Sequence, residues 1–184
     1  MSQSIARVEI SPEARRNRIA ALQALSILDT PPEEGFDALT TLAALVCEAP
    51  VAIISLIDGE RLWFKSVYGV DARTIPSEHS FCVECANSRE VLQVTNARDD
   101  ARFSEIGLVT GPLQVQFYAG APIMFGGSAI GTICVLDSVI RELKPGTIHA
   151  LKEMAKIAAS MLRARAEAFR LLQGGVSGFT PLGA

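Results

Sequence analysis

The chain has 184 residues, is 49% hydrophobic and carries a formal net charge of −3. This length and composition suit one domain with a real apolar core, and the mildly acidic charge excludes the basic surface that a nucleic-acid backbone requires. No apolar run approaches the roughly 18 residues of a membrane helix, and the first residues lack a signal-peptide pattern. We therefore expect a cytoplasmic protein, without nucleic-acid or membrane partners, whose four cysteines are reduced thiols.

The first predicted element is a helix over residues 12–28. Ser11 is a suitable N-cap and Pro12 suits the first helical turn, and apolar residues then recur at helical spacing. Residues 1–11 lack such a pattern, and we expect them to be disordered.

A second helix is predicted to begin after Thr30 and to end near Pro50. Thr30 is followed three residues later by Glu33, which fits a capping box, in which the two residues bond each other's backbone N–H groups. The apolar residues along one face of this helix are Phe36, Leu39, Leu42, Ala43 and Val46. We expect that whole face to be buried.

After the second helix, the hydrophobic period changes from helical to alternating. The runs 51–58 and 63–70, with the Asp58-Gly59 turn after the first, predict an antiparallel hairpin. The elements predicted next are a short helix at 80–88, a strand at 91–95, a polar connection at 96–114, and two strands at 116–125 and 129–137. Connections as long as the polar one are usually functional or locally ordered.

A long helix over residues 147–172 completes the pattern. The residues along one stripe of this helix are Ile148, Leu151, Ala155, Ala158, Leu162, Arg165 and Phe169. Residues 173–184 have no periodicity, and we expect a disordered tail. The order of elements predicts an α+β fold in which helices pack on an antiparallel sheet.

Several motifs follow one another in a fixed order over residues 18–165. They are LDTPPEEGFDALTTLAALVCEAPVAIISLID, RLWFKS, SFC, LVTG, FYAGAPI and GTICVLD. Together they resemble the GAF domains of bacterial histidine kinases and diguanylate cyclases. The resemblance implies that residues 12–172 form a single GAF domain with a five- or six-stranded antiparallel sheet, terminal helices on one face and a loop and short-helix pocket on the other. It also implies a sensory module, not an enzyme, that binds a small molecule or a partner protein.

We place the candidate ligand site between the sheet and the 77–116 excursion, where apolar residues interrupt a polar connection. Its candidate residues are Phe81, Cys82, Glu84, Phe103, Val109, Phe117 and Tyr118. The sequence departs from the family's usual pattern at Glu84, where relatives often carry histidine, and at Gln116, where they often carry arginine. The resemblance therefore assigns no particular ligand, and no cofactor is predicted.

One group of residues has the spacing for chemistry, namely His79, Cys82 and Cys85. Near a helix N-terminus the two thiols share one side and favour the thiolate form. The group suits a metal site, a redox dithiol, or the thiol pair of an enzyme of the free methionine sulfoxide reductase type. The simpler alternative is two buried small residues beside a surface histidine. Cys47 and Cys134 lie in apolar runs, and we expect both to be buried.

The last helix also predicts how the protein assembles and signals. At about 1.5 Å per residue it spans nearly 40 Å, more than a small sheet needs. The apolar residues at its far end are Ala164, Ala168, Phe169, Leu171 and Leu172. We expect them to pack across the two-fold axis of a homodimer with Leu22 and Leu25 of the first helix; the alternative is that the terminal helices pack within one chain. Because the sequence shows no kinase or cyclase motif, the expected output partner is a signalling protein acting in trans, such as a histidine kinase or a diguanylate cyclase.

Overall fold

The computed structural model describes residues 10–78 and 80–174. The helices of this part are α1 (Pro12–Leu25), α2 (Glu34–Cys47), α3 (Phe81–Ser88), α4 (Gly107–Thr110) and α5 (Pro145–Gly174). The strands are β1 (Val51–Asp58), β2 (Arg61–Tyr68), β3 (Thr74–Pro76), β4 (Leu92–Val94), β5 (Phe117–Phe125) and β6 (Ser128–Asp137). The residues expected to be disordered at the two ends of the chain lie mainly outside the described part. Helix α5 continues two residues beyond its predicted end at 172.

The strands form one six-stranded sheet in the order β3-β2-β1-β6-β5-β4, with every neighbouring pair antiparallel. This confirms the predicted α+β fold. The two hairpin turns contain Gly59, Gly126 and Gly127, whose positive φ angles strain most other residues. β3 was not predicted, because three residues ending in a proline are too few to show an alternating pattern.

Both faces of the sheet are buried. Helices α1, α2 and α5 cover one face and form what we term the helix layer, while α3 and the connection after β4 cover the other face. Because successive residues of a strand point to opposite faces, Trp63 and Phe117 join the helix layer, and Phe64 and Tyr118 join the opposite core. Alternation along each strand thus divides both aromatic pairs between the two faces of the sheet.

The buried face of α2 differs from the predicted one. Phe36, Leu39 and Ala43 are buried as expected, but Leu42 is 46% exposed and Val46 is also exposed. The buried stripe is turned toward Thr40, whose hydroxyl lies 2.7 Å from both the Phe36 carbonyl oxygen and Ser66 Oγ. The apolar pattern alone misplaced this face, since it gave no weight to a buried threonine.

The predicted capping box at the start of α2 is wrong. The Thr30 hydroxyl donates to the Ile27 carbonyl, and the N-cap, Glu33, makes no side-chain capping bond. Its carboxylate instead accepts hydrogen bonds from Lys65 and Arg165. The first helix also ends earlier than predicted, because Ser26 adopts a left-handed conformation.

A β-bulge in β2 places two consecutive residues, Lys65 and Ser66, on the side of the helix layer. Ile54 pairs with Ser66 and Ser55 pairs with Phe64, so Lys65 is the extra residue. A bulge of this kind lets two consecutive side chains share one face. Lys65 and Ser66 therefore both bond to groups of the helix layer.

The buried ammonium group of Lys65 ties three elements together. Lys65 is 1% exposed, and its Nζ donates to Thr30 Oγ1 at 3.0 Å, the Pro31 carbonyl at 2.8 Å and Glu33 Oε1 at 2.6 Å. Arg165 Nε of α5 donates to the same Glu33 oxygen at 2.9 Å. Burial opposes the ionisation of Glu33, but the hydrogen bonds from Lys65 and Arg165 outweigh it and lower the pKa of this carboxyl group.

Part of the predicted dimer surface is not exposed in the structure. Leu22 and Leu25 of α1 are buried within their own chain and are not available to a partner. Phe169, Leu171 and Leu172 at the far end of α5 are exposed in the single chain, as expected from the sequence, whereas Ala166 is buried. Within the described residues, no helix is both long and apolar enough to cross a membrane.

We predict that Glu33→Ala lowers the free energy of unfolding by about 3 kcal/mol, because it leaves the buried Lys65 charge without its carboxylate. Urea unfolding at neutral pH measures this difference. The neighbouring Glu34→Ala is the matched control, since Glu34 is exposed and its loss should cost within about 0.5 kcal/mol. Equal effects of the two substitutions would contradict the role assigned to Glu33.

Candidate functional site

A cavity of about 280 Å³ lies on the face of the sheet opposite the helix layer. Strands β1, β2, β5 and β6 form its floor, and α3 with the connection around α4 covers it. The residues that line it are Pro50, Val51, Ile53, Leu62, Phe64, Val70, Ala72, Ile75, Ser80, Phe81, Cys82, Leu108, Leu113, Val115, Tyr118, Cys134, Leu136, Asp137 and Ser138.

The lining of this cavity is almost entirely apolar. The charged residue of the lining is Asp137, whose carboxylate is neutralised by Arg141 Nη1 at 2.9 Å. Ser80 Oγ is occupied as the N-cap of α3, since it accepts a hydrogen bond from the Val83 N–H. Among the described residues no lysine or arginine lines the cavity. These surroundings favour an uncharged, apolar occupant.

Three aromatic rings hold α3 between the sheet and the long connection. The Phe81 ring stacks on Tyr118 of β5 with 4.8 Å between centroids, and the Phe103 ring of the connection is tilted by 38° against Phe81 with 4.4 Å between centroids. Arg102 lies over the Phe103 ring at 4.8 Å and pairs with Asp100 at 2.7 Å. This stack fixes the position of the cavity roof relative to the sheet.

The structure brings part of the predicted site together. Phe81, Cys82 and Tyr118 line the cavity. Phe103 and Val109 are buried in the same core but lie behind the lining. The other two predicted residues, Phe117 and Glu84, do not line the cavity.

Phe117 points into the helix layer on the opposite face of the sheet. Glu84 is buried on α3, and its Oε1 lies 3.9 Å from Arg102 Nη1, outside the cavity. Sequence reasoning also missed the floor of the site, including Ile53, Phe64 and Leu136. Alternation was the available signal, because these residues lie on the sheet face that Tyr118 occupies.

The thiols in this region pair differently from the prediction. Cys82 Sγ of α3 lies 3.8 Å from Cys134 Sγ of β6, and the Tyr118 hydroxyl donates to Cys82 Sγ at 3.7 Å. Cys85 Sγ is engaged elsewhere, 3.3 Å from the Gly120 carbonyl oxygen and 3.4 Å from that of Glu90. The structure therefore brings together Cys82 and Cys134, while Cys82 and Cys85, both buried as the simpler alternative expects, bond to different groups.

Hydrogen bonds make the Cys82 thiol more acidic than an ordinary cysteine. The hydrogen bond from the Cys134 thiol lowers the pKa of Cys82 against the effect of burial, and hydroxyl groups of Ser55, Thr132 and Tyr118 add to it. The same Cys82–Cys134 bond, together with burial, raises the pKa of Cys134. Cys82 is thus the thiol of this pair that ionises first, and it is the more exposed of the two in the cavity lining.

The remaining cysteines behave as buried apolar residues. Burial raises the pKa of the Cys85 thiol to about 12 and that of Cys47 to about 11. The prediction that Cys47 and Cys134 are buried is confirmed. His79, the third member of the predicted metal group, lies outside the described residues. Within residues 10–78 and 80–174, no three His, Cys, Asp or Glu side chains are arranged to hold a metal ion.

Comparisons with known proteins agree with this architecture. The family model of the GAF domain matches residues 31–162. A cyclic di-GMP phosphodiesterase of Pseudomonas aeruginosa is 34% identical over 127 residues, which cover 68% of this chain and 22% of that protein. The chain therefore spans less than a quarter of the length of this relative.

Solved structures support the fold. The GAF domain of an Acinetobacter phosphoenolpyruvate-protein phosphotransferase superposes with a TM-score of 0.61 at 15% identity, covering 86% of this chain and 97% of that one. A type II free methionine-R-sulfoxide reductase from Thermoplasma acidophilum superposes with a TM-score of 0.60 at 13% identity, covering 71% and 91%. At such identities the likeness shows the fold alone.

We predict that iodoacetamide alkylates Cys82 before the other cysteines of the native protein, because its thiolate is stabilised and lies on the cavity wall. The alkylation rate should reach half its plateau at a pH below the ordinary pKa of a thiol. Tyr118→Phe removes one donor to the thiolate and should move this midpoint upward. Tyr68→Phe, at the exposed end of β2, is the control. An unchanged midpoint in Tyr118→Phe would contradict the assigned hydrogen bond.

Proposed function

The chain belongs to the GAF domain family of signalling sensory modules, and we propose that it binds an uncharged apolar small molecule in the cavity and relays its occupancy through α5. The observation that carries this proposal is the cavity itself, which is roofed by a separate element and lined by apolar side chains. An apolar ligand gains free energy of about 25 cal/mol for each Å² of apolar surface removed from water.

A direct route of contacts supports the relay. Phe64 of β2 lines the cavity on one face of the sheet, and the adjacent Lys65 faces the helix layer. Lys65 binds Glu33, and Glu33 binds Arg165 of α5. Arg165 Nη1 also donates to the carbonyls of Leu25 and Ser26 at the end of α1. A displacement of β2 by a ligand is therefore passed to both terminal helices.

We place this function in a signalling context with residues 12–172 as the functional domain. The relative from Pseudomonas aeruginosa is a cyclic di-GMP phosphodiesterase, so the region it shares with this chain belongs to a nucleotide-signalling protein. We infer that the output partner here is likewise a signalling protein, such as a histidine kinase or a diguanylate cyclase. The role we propose is regulatory, because no observation favours catalysis by Cys82 with Cys85, whose thiols bond to different groups.

We also propose a homodimer formed by a second apolar stripe of α5. Ile157, Met161, Ala164, Ala168 and Leu171 recur at alternating intervals of four and three residues, the spacing of a coiled-coil seam. Ile157 is 48% exposed and Leu171 is 77% exposed, so both ends of the stripe are open to a partner, while Met161 between them also packs against the helix-layer core. A second copy of the chain is the occupant that such a repeating seam fits, since a two-fold axis pairs it with itself.

The cavity predicts selective binding that fluorescence can measure. N-phenyl-1-naphthylamine is an uncharged apolar probe, and 1-anilinonaphthalene-8-sulfonate carries the same rings with an added sulfonate. We expect the uncharged probe to bind more tightly, because no cation compensates the sulfonate in the cavity. Ala72→Phe fills part of the lining and should weaken this binding about tenfold, or about 1.4 kcal/mol.

The control for this binding experiment is Ala101→Phe, which adds the same ring at an exposed site of the long connection. Equal loss of binding in the two variants, or a preference for the sulfonated probe, would contradict an apolar ligand site at this cavity.

The proposed seam predicts that wild-type protein sediments as a dimer at micromolar concentration and that Ile157→Lys sediments as a monomer. A charge within the seam is desolvated in the dimer and exposed in the monomer. Ser160→Lys adds the same side chain off the seam and should leave the dimer intact. A monomeric wild-type protein, or dissociation by both substitutions, would contradict this mode of assembly.

A further inference from the structure

We propose that Cys82 and Cys134 form a reversible disulfide across the cavity wall when an apolar organic hydroperoxide enters the cavity. This goes beyond the proposed function, which requires only reversible binding. The two sulfur atoms lie 3.8 Å apart, on α3 and β6 respectively. They are 52 residues apart in the sequence, so the fold alone brings them together.

The geometry gives the two thiols different roles. Both thiols belong to the cavity lining, but Cys82 is 8% exposed whereas Cys134 is fully buried. The Tyr118 hydroxyl donates to the Cys82 sulfur, and the hydroxyl groups of Ser55 and Thr132 also favour its thiolate. These donors stabilise a thiolate in an otherwise apolar core, and a thiolate is the reactive form of cysteine. Cys82 is therefore the attacking thiol, and Cys134 is the resolving thiol.

The lining selects the class of oxidant. Apolar side chains surround Cys82 on the cavity side, and the charged Asp137 is already paired with Arg141. An organic hydroperoxide buries its hydrocarbon part against this surface and brings its O–O group to the sulfur. Hydrogen peroxide has no such part and gains nothing from the apolar lining.

The reaction balances in two steps. The Cys82 thiolate attacks the distal oxygen of the hydroperoxide, the O–O bond breaks, and the departing alkoxide takes up a proton to become an alcohol. Cys134 then attacks the sulfur of the resulting Cys82 sulfenic acid, and the S–S bond forms as the hydroxyl group leaves with the Cys134 proton as water. The two thiols lose two electrons, and the hydroperoxide gains them.

Formation of this bond changes the shape of the cavity. The sulfur atoms must approach from 3.8 Å to about 2.0 Å, which draws the start of α3 toward β6. Phe81, the neighbour of Cys82, is stacked on Tyr118 and lines the same cavity. Oxidation therefore narrows the ligand site, and a dithiol reductant reopens it by thiol–disulfide exchange.

The test uses the reduced full chain and one equivalent of cumene hydroperoxide. After alkylation of the remaining thiols and trypsin digestion, Cys134 lies on the peptide 103–141, while Cys82 and Cys85 share the peptide 74–89. We expect the loss of two of the four thiols, one equivalent of cumyl alcohol and a link between these two peptides that dithiothreitol removes. Four intact thiols would overturn the proposal.

Variants identify the linked residues. Cys85→Ser and Cys47→Ser should retain the link, since the Cys85 thiol donates to backbone carbonyls and Cys47 lies in the helix-layer core. Cys82→Ser should abolish oxidation, and Cys134→Ala should leave a Cys82 sulfenic acid that dimedone traps. Cys134→Ser repeats the last test with a side chain closer in size, and circular dichroism checks that each variant is folded. A link that survives in Cys82→Ser, or is lost in Cys85→Ser, would overturn the assignment.

The preference for an apolar oxidant is tested by comparing two peroxides. Cumene hydroperoxide should form the link faster than hydrogen peroxide at equal concentration, and equal rates would overturn the proposed preference for an apolar oxidant. Probe binding is measured by fluorescence on the reduced protein, and the disulfide is measured by mass. Failure of one proposal can therefore be distinguished from failure of the other.

Discussion

The positive charge of Lys65 is buried under the helix layer, and its neutralisation constrains the chain around it. Three groups of the connection between α1 and α2 bond to its ammonium, so this connection must lie against β2. Arg165 binds the same carboxylate, Glu33, and thereby fixes α5 at the same point. A buried ammonium without such partners costs several kcal/mol. The position of the long helix relative to the sheet thus follows from the requirement to satisfy one charge.

This constraint also links the two sides of the sheet. Phe64 and Lys65 are neighbours in β2, yet one lines the cavity and the other holds Glu33. A ligand or a Cys82–Cys134 disulfide acts on the cavity side, and α5 lies on the other. Coupling between two such sites is reciprocal, so dimerisation through α5 should alter cavity affinity by the same factor that occupancy alters dimerisation. The sheet is the element through which the cavity and α5 are coupled.

Much of the fold could be predicted from the sequence, and less of the site. Alternation in the strands separated Trp63 from Phe64, because period-two patterning is a local property. The pairing of Cys82 with Cys134 and the contacts of Glu33 could not be predicted, since both join residues distant in the sequence. Helical spacing favoured Cys85 as the partner of Cys82, but that thiol bonds to backbone carbonyls. The buried face of α2 could not be predicted from the apolar residues alone either, because it includes the polar residue Thr40.

Hydrogen exchange of α5 with and without N-phenyl-1-naphthylamine tests the central claim, that cavity occupancy reaches α5 through Glu33 and Arg165. The account predicts slower exchange of α5 amides around Arg165 when the probe fills the cavity of the wild-type protein. In Arg165→Gln this change should disappear although the probe still binds, because Arg165 does not line the cavity. If the probe leaves the exchange rates of α5 amides unchanged in the wild-type protein, or changes them equally in the wild-type protein and in Arg165→Gln, the account is contradicted.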